Sequence, residues 1–252
     1  MDKFTSPYQS HLHSLQTLNL IYQYDSFLDS LTNIADMGCG EGIDVNWWAT
    51  LETRDEVSIP HNYNVYAVDK KLNVNPKYLD NDRVYPVEAN FEDTGIFSTP
   101  VDVMWCHDAF QYVKDPMQTL YNWNKMLVQD GMLIIIMPQL AGYVNGKFSN
   151  RVYDGTIHPY NILNMMYMLA LNGFDCNDAY FYRDPADLES PWLHIAVYKG
   201  SEPLDPNTTL MELAEMERLN PSAKDCLDRF GHLRQEELYT TWFDKDWYKV
   251  RT

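Results

Sequence analysis

The feature that most constrains this chain is the run Ile34-Ala35-Asp36-Met37-Gly38-Cys39-Gly40-Glu41-Gly42. Residues 33–36 read as a short strand, three glycines follow at alternate positions, and residues 43–53 read as a helix. Glycine lets the backbone pass close to a ligand and adopt positive φ. A strand, a glycine turn and a helix in this order put the turn at the strand's carboxyl end. Open α/β sheets bind their ligands there.

The alternation continues. Residues 64–69 (NVYAVD), 83–88, 101–105 and 132–137 read as strands, several rich in β-branched and aromatic residues. A helix is expected over 116–128, punctuated by Gly131. Such repetition implies right-handed crossovers and a parallel sheet. The pattern then changes. His158-Pro159 is expected to open a helix that runs to Asn172, with Pro159 in its first turn and Gly173 at its C-cap. Residues 174–182 and 192–199 follow with no helix between them, as an antiparallel pair at the sheet edge. The expected fold is a doubly wound α/β sheet of seven strands, mostly parallel, with an antiparallel last strand.

Two helical additions flank this unit. Leu12, Leu15, Leu18, Leu20, Ile21, Phe27, Leu28 and Leu31 have helix-like spacing over residues 9–31. The expected division is an N-terminal helical cap (1–32), a ligand-binding domain (33–200) and a C-terminal helical tail (201–252). In the tail, Thr209 and Glu212 are spaced as a capping box, and Pro221 follows the helix end. Trp242, Phe243, Trp247 and Tyr248 make its end aromatic, which favours packing on the domain.

Charge and cysteines narrow the partners. The net charge is -17, and no positive patch suited to a phosphate backbone stands out, so no nucleic acid is expected. No apolar run approaches the ~20 residues of a membrane helix. No basic stretch followed by an apolar one marks a leader. Cys39, Cys106, Cys176 and Cys226 form no CxxC pair, so neither a metal nor a disulfide framework is signalled. Free thiols suit a reducing, cytoplasmic setting. Nothing sets the oligomeric state.

Three further positions carry chemistry. Asp69 ends the second strand, where a carboxylate can accept from both hydroxyls of a ribose. Asn90 and Phe91 follow the third strand. The fourth strand leads through Cys106-His107-Asp108 to a helix beginning near Asp115-Pro116. A dinucleotide fingerprint would read GxGxxG, but position 43 is Ile and the third glycine is Gly42. Over about residues 33–139 the combined pattern resembles class I S-adenosylmethionine-dependent methyltransferases, in their small-molecule (type 11/12-like) branch. Residues 1–32 and 201–252 carry no motif of that family.

The resemblance implies S-adenosyl-L-methionine as cofactor. Asp36, Gly38, Cys39, Gly40 and Gly42 would face its amino-acid end, and Asp69 its ribose. Asn90 stands where the family usually has an acid that accepts from the adenine amino group. The Phe91 N–H would meet a ring nitrogen, and Cys106 would line the pocket. After the fourth strand there is no Asp/Asn-Pro-Pro-Tyr/Phe motif, and Pro138-Gln139 replaces the Pro-Cys of some base-modifying enzymes. Both absences point away from nucleobases and toward a small-molecule acceptor.

Methyl transfer is an in-line displacement that mainly needs aligned reactants, and a base only if the nucleophile must lose a proton. His107 is the candidate base; the alternative is a histidine that merely lines the pocket. Residues 139–157, a connection of about nineteen residues, carry Tyr143, Phe148 and Tyr153. Such connections are usually ~2–6 residues, and long ones often form lids. With residues 9–31 this loop is expected to enclose the acceptor, unless its aromatics simply pack on the domain. Two other readings stay open: a module of this fold without turnover, and a nicotinamide-dependent oxidoreductase, which the glycine spacing disfavours.

Overall fold

A computed structural model of the chain describes residues 14, 17, 31–50, 63–138, 158, 160–182 and 192–233. Seven strands form one sheet: β1 (Asn33–Met37), β2 (Asn64–Asp69), β3 (Val84–Glu88), β4 (Val101–His107), β5 (Leu127–Pro138), β6 (Phe174–Tyr182) and β7 (Trp192–Lys199). Their order is β3-β2-β1-β4-β5-β7-β6. Pairing is parallel from β3 to β5, and β7 lies antiparallel to both β5 and β6. This is the Rossmann-like architecture with an inserted antiparallel last strand. The order reverses between β1 and β4, so a crevice is expected above their carboxyl ends.

The helices whose bounds lie among the described residues are α1 (Ile43–Ala49), α2 (Pro76–Leu79), α3 (Pro116–Met126), α4 (Ile162–Leu171), α5 (Leu210–Glu215) and α6 (Pro221–Phe230). The Asp115 side chain caps α3 by accepting from Gln118 N at 3.0 Å, with Pro116 in the first turn. Helix α4 does not open at His158-Pro159. Asn161 and Asn164 form a reciprocal capping box, which starts the helix at Ile162. A side-chain cap satisfies an otherwise orphaned N–H, which proline cannot do. Gly173, at φ 81, closes α4 as expected.

Strand β5 also differs from expectation. Helix α3 ends at Met126, and Gly131 lies inside the strand rather than ahead of it. A side chain there would sit 2.9 Å from Val128 O and 3.1 Å from Asp102 O, so glycine permits the close approach to β4. In the tail, the Thr209–Glu212 capping box starts α5, and Pro221 opens a further helix behind the Asn220 cap.

Side chains alternate across the sheet. Ala35, Met37, Met104, Cys106, Leu133 and Ile135 face a core built with α3, α4, α5 and α6. Ile34, Val103, Trp105, Ile134 and Ile136 face a second core with Trp47 and Trp48 of α1. Among the described residues, no helix is long and apolar enough to cross a membrane.

Candidate cofactor and acceptor site

The glycine turn hangs from β2: Gly38 N and Cys39 N both donate to Val68 O, at 2.9 and 3.0 Å. Gly38, Gly40 and Gly42 all take positive φ. At Gly38 a Cβ would lie 2.6 Å from Ala109 Cβ, so only glycine fits beneath the segment after β4. At Gly40 nothing lies within 4 Å of that position, and this part of the turn faces open space. Asp69, the last residue of β2, ties the turn down: Oδ2 accepts from Gly40 N (3.1 Å) and Oδ1 from Lys71 N (3.3 Å). A carboxylate has about four acceptor positions, so capacity remains for a ligand hydroxyl.

Asp36 is 2% exposed, and its alternation with Ala35 and Met37 puts it on the α1 face. Burial, then the carboxylates of Asp44 and Asp69, push its pKa well above the usual range. It accepts no hydrogen bond from the described residues. A buried carboxyl in that state suits a cationic partner.

Of the two residues expected after β3, Phe91 is brought to the turn. The Phe91 ring packs against Gly38, 3.4 Å from its Cβ position. Trp123 Nε1 donates to Phe91 O (2.8 Å) and Asn122 Nδ2 to Glu92 O (2.7 Å), which fastens this loop to α3. Asn90 Oδ1 accepts from Glu92 N at 3.4 Å, within its own turn. Burial raises the Cys39 thiol well above the ordinary range, with Asp36 and Asp69 adding to the shift. Cys106 is fully buried in the core on the α3 face, and burial raises its thiol too. Burial thus favours the protonated thiol at both sulfurs, the less nucleophilic form.

The structure adds a polar cluster that local motifs do not signal. His107 Nδ1 lies 2.9 Å from Asp44 Oδ2, and the same oxygen accepts from Trp105 Nε1 at 2.9 Å. Asp44 Oδ1 accepts from Ser14 Oγ at 3.1 Å. Ser14 and Thr17 are helical, and the Thr17 hydroxyl meets His194 Nδ1 on β7. The expected N-terminal helix therefore touches this face at both described positions. In sequence, Asp44 looks like an ordinary acid in a helix's first turn, favoured there by the helix dipole. Only the packing of α1 on β4 shows its partner. His158 sits elsewhere, with Nε2 3.3 Å from Lys114 O. Tyr143, Phe148 and Tyr153 lie outside the described residues. No group of three His, Cys, Asp or Glu among the described residues could hold a metal ion.

Residues 35–135 match the family model described as "Methyltransferase domain". Malonyl-[acyl-carrier protein] O-methyltransferase 2 of Coxiella burnetii is 31% identical over 113 residues, covering 44% of this chain and 42% of that protein. The match therefore spans under half of that relative's length. Among solved structures, the plantazolicin methyltransferase BpumL, in complex with a monoazolic desmethylPZN analog and SAH, superposes with a TM-score of 0.58 at 14% identity. The overlap covers 76% of this chain and 85% of that one. The CurJ carbon methyltransferase gives 0.55 at 12% identity, over 76% and 54%. Identities this low establish a common fold. Sheet order, glycine turn and family match agree: residues 35–135 are similar to the methyltransferase domain family, and the sheet has the fold of the solved methyltransferases.

Proposed function

We propose that this protein binds S-adenosyl-L-methionine in the crevice above β1, β2 and β4 and transfers its methyl group to a small-molecule acceptor. The observation that carries the reading is the glycine turn, open at Gly40 and flanked by the buried carboxyl of Asp36, which accepts no hydrogen bond from the described residues, and by Asp69 at the end of β2. Asp36 and the backbone of Gly38, Cys39, Gly40 and Gly42 hold the ammonium end of the ligand. Asp69 accepts from the ribose hydroxyls, and Phe91 offers its N–H to the adenine ring beside Asn90. Cys106 contributes apolar wall from beneath the sheet. The bound group supplies an electrophilic methyl on a sulfonium, with a neutral thioether as leaving group. The chain's own work is to align the acceptor, exclude water and receive a proton at His107.

In this reading residues 33–200 form the catalytic unit, with 1–32 and 201–252 as additions. Tyr143, Phe148 and Tyr153 wall the acceptor. A cytoplasmic setting fits the free, buried thiols, and the charge of -17 disfavours nucleic acid as the acceptor. Calorimetry with S-adenosylhomocysteine, S-adenosylmethionine and NAD tests the reading. The two sulfur ligands are expected to bind and NAD to give no heat. Preference for NAD would reassign the crevice to a dinucleotide.

A further inference from the structure

Asp44, His107, Trp105 and Ser14 form one buried unit on the α1 face. Asp44 is 4% exposed and His107 8%. A buried carboxylate persists when its oxygens are hydrogen-bonded, and here three donors from two segments, β4 and the stretch that carries Ser14, converge on one. Two of those donors, Ser14 and Trp105, carry no charge, so their contacts do not depend on protonation. His107 Nδ1 faces Asp44 Oδ2, which makes Nδ1 the protonated nitrogen and leaves the lone pair on Nε2. The Trp192 ring of β7 packs on the imidazole, at 5.9 Å between centroids. His107 is also the last residue of β4, next along the sheet from the glycine turn.

We infer that Asp44 is the positioning residue of a proton-accepting pair with His107, and that the acceptor is a small molecule carrying an un-ionised hydroxyl. The inference rests on the methyltransferase reading above. A hydroxyl acceptor gains from an oriented neutral imidazole, because its oxygen must lose a proton as it is methylated. A carboxylate acceptor is already ionised and needs no base. It would also enter a site that holds Asp36, Asp44 and Asp69 within electrostatic range of one another. The step balances: the acceptor oxygen bonds to the methyl carbon, the carbon–sulfur pair stays on sulfur, and the hydroxyl proton moves to His107 Nε2. The resulting imidazolium is held by Asp44 until the proton passes to water.

Two readouts on the full chain test this. Long-range 1H–15N spectra of labelled protein show which imidazole nitrogen is protonated, and His107→Gln identifies the His107 signal. Wild type is expected to hold neutral His107 as the Nδ1–H form, and Asp44→Asn to lose that preference. An Nε2–H ring in wild type, or an unchanged tautomer in Asp44→Asn, overturns the pair. The wild-type spectrum needs no variant, so a poorly folding Asp44→Asn does not remove the test. The second readout is S-adenosylhomocysteine release with phenol, catechol and benzyl alcohol set against benzoate and phenylacetate. Release is expected from hydroxyl compounds alone. General-base catalysis contributes on the order of 10²–10⁴-fold, so Asp44→Asn should lower kcat by about 100-fold or more with KM little changed. Release from the carboxylates, or from no hydroxyl compound, overturns the acceptor class. Calorimetry separates the failures. Absent S-adenosylhomocysteine binding removes the methyltransferase reading, whereas binding with the wrong tautomer removes only this inference.

Discussion

Strand β4 sends Met104 and Cys106 to one face of the sheet and Trp105 and His107 to the other. On the first face, under α3 and α4, buried polar side chains tie backbone to backbone. Asn124 Nδ2, for example, donates to Asn172 O (2.8 Å) and Ser201 O (3.0 Å). On the second face, under α1, the buried polar groups include Asp36, Asp44 and His107, each able to carry charge. Burying such groups costs several kcal/mol unless partners offset it, and apolar replacements are often at least as stable. The α3 face is therefore built for stability. The α1 face keeps groups that stability alone does not call for, and that is where chemistry is expected.

Substitutions on the two faces should separate these roles. The largest effect is expected at the turn that joins them. Gly38→Val places a side chain against Ala109 at positive φ. Left-handed backbone costs roughly 1–2 kcal/mol, and overpacking about 1–3 kcal/mol more. Thermal unfolding should show the loss, and S-adenosylhomocysteine binding should vanish. Asp69→Ala comes next. Losing hydrogen bonds to a charged acceptor costs ~1.5–3 kcal/mol, or roughly 10- to 150-fold in affinity, with the fold retained. An unchanged dissociation constant would put the ribose elsewhere. On the α3 face, Ile135→Val should cost about 0.5–1.5 kcal/mol of stability and leave affinity unchanged. A matching loss of affinity would erase the distinction between the faces.

The smallest effect expected is a slope. The folded-state pKa of Asp36 is raised, so the native state holds a proton that the unfolded chain has already released. Stability of the ligand-free protein should then fall as pH rises above the ordinary carboxylate range. Asp36→Asn, neutral at every pH, should flatten that slope and raise the unfolding midpoint at neutral pH, while weakening S-adenosylhomocysteine binding. Denaturation series at several pH values would show it. An unaltered slope would mean that Asp36 is ionised in the folded protein.

Much of the cofactor half is legible in sequence because its signals are local. Strand, glycine turn and helix are contiguous from Ile34 onward, and Asp69 ends a strand that alternates on its own. The parallel pairing of β1 to β5 follows from the alternation of elements, whereas their order along the sheet comes from the structure. Boundaries are less legible where two rules compete. Pro159 suits a helix start, but the reciprocal caps of Asn161 and Asn164 decide it. Gly131 reads as a helix stop, yet it serves the approach of β5 to β4. The Asp44–His107 pair is illegible because its members lie on separate elements and meet only when α1 packs on the sheet. His107 could be singled out by residue type; its partner could not.

The most direct measurement is a crystal structure of the full chain with S-adenosylhomocysteine. The ribose hydroxyls are expected on Asp69, the ammonium beside Asp36 and the adenine against Phe91, with the glycine turn unmoved. A ligand seated away from the carboxyl ends of β1 and β2, or contacting neither aspartate, would contradict that placement.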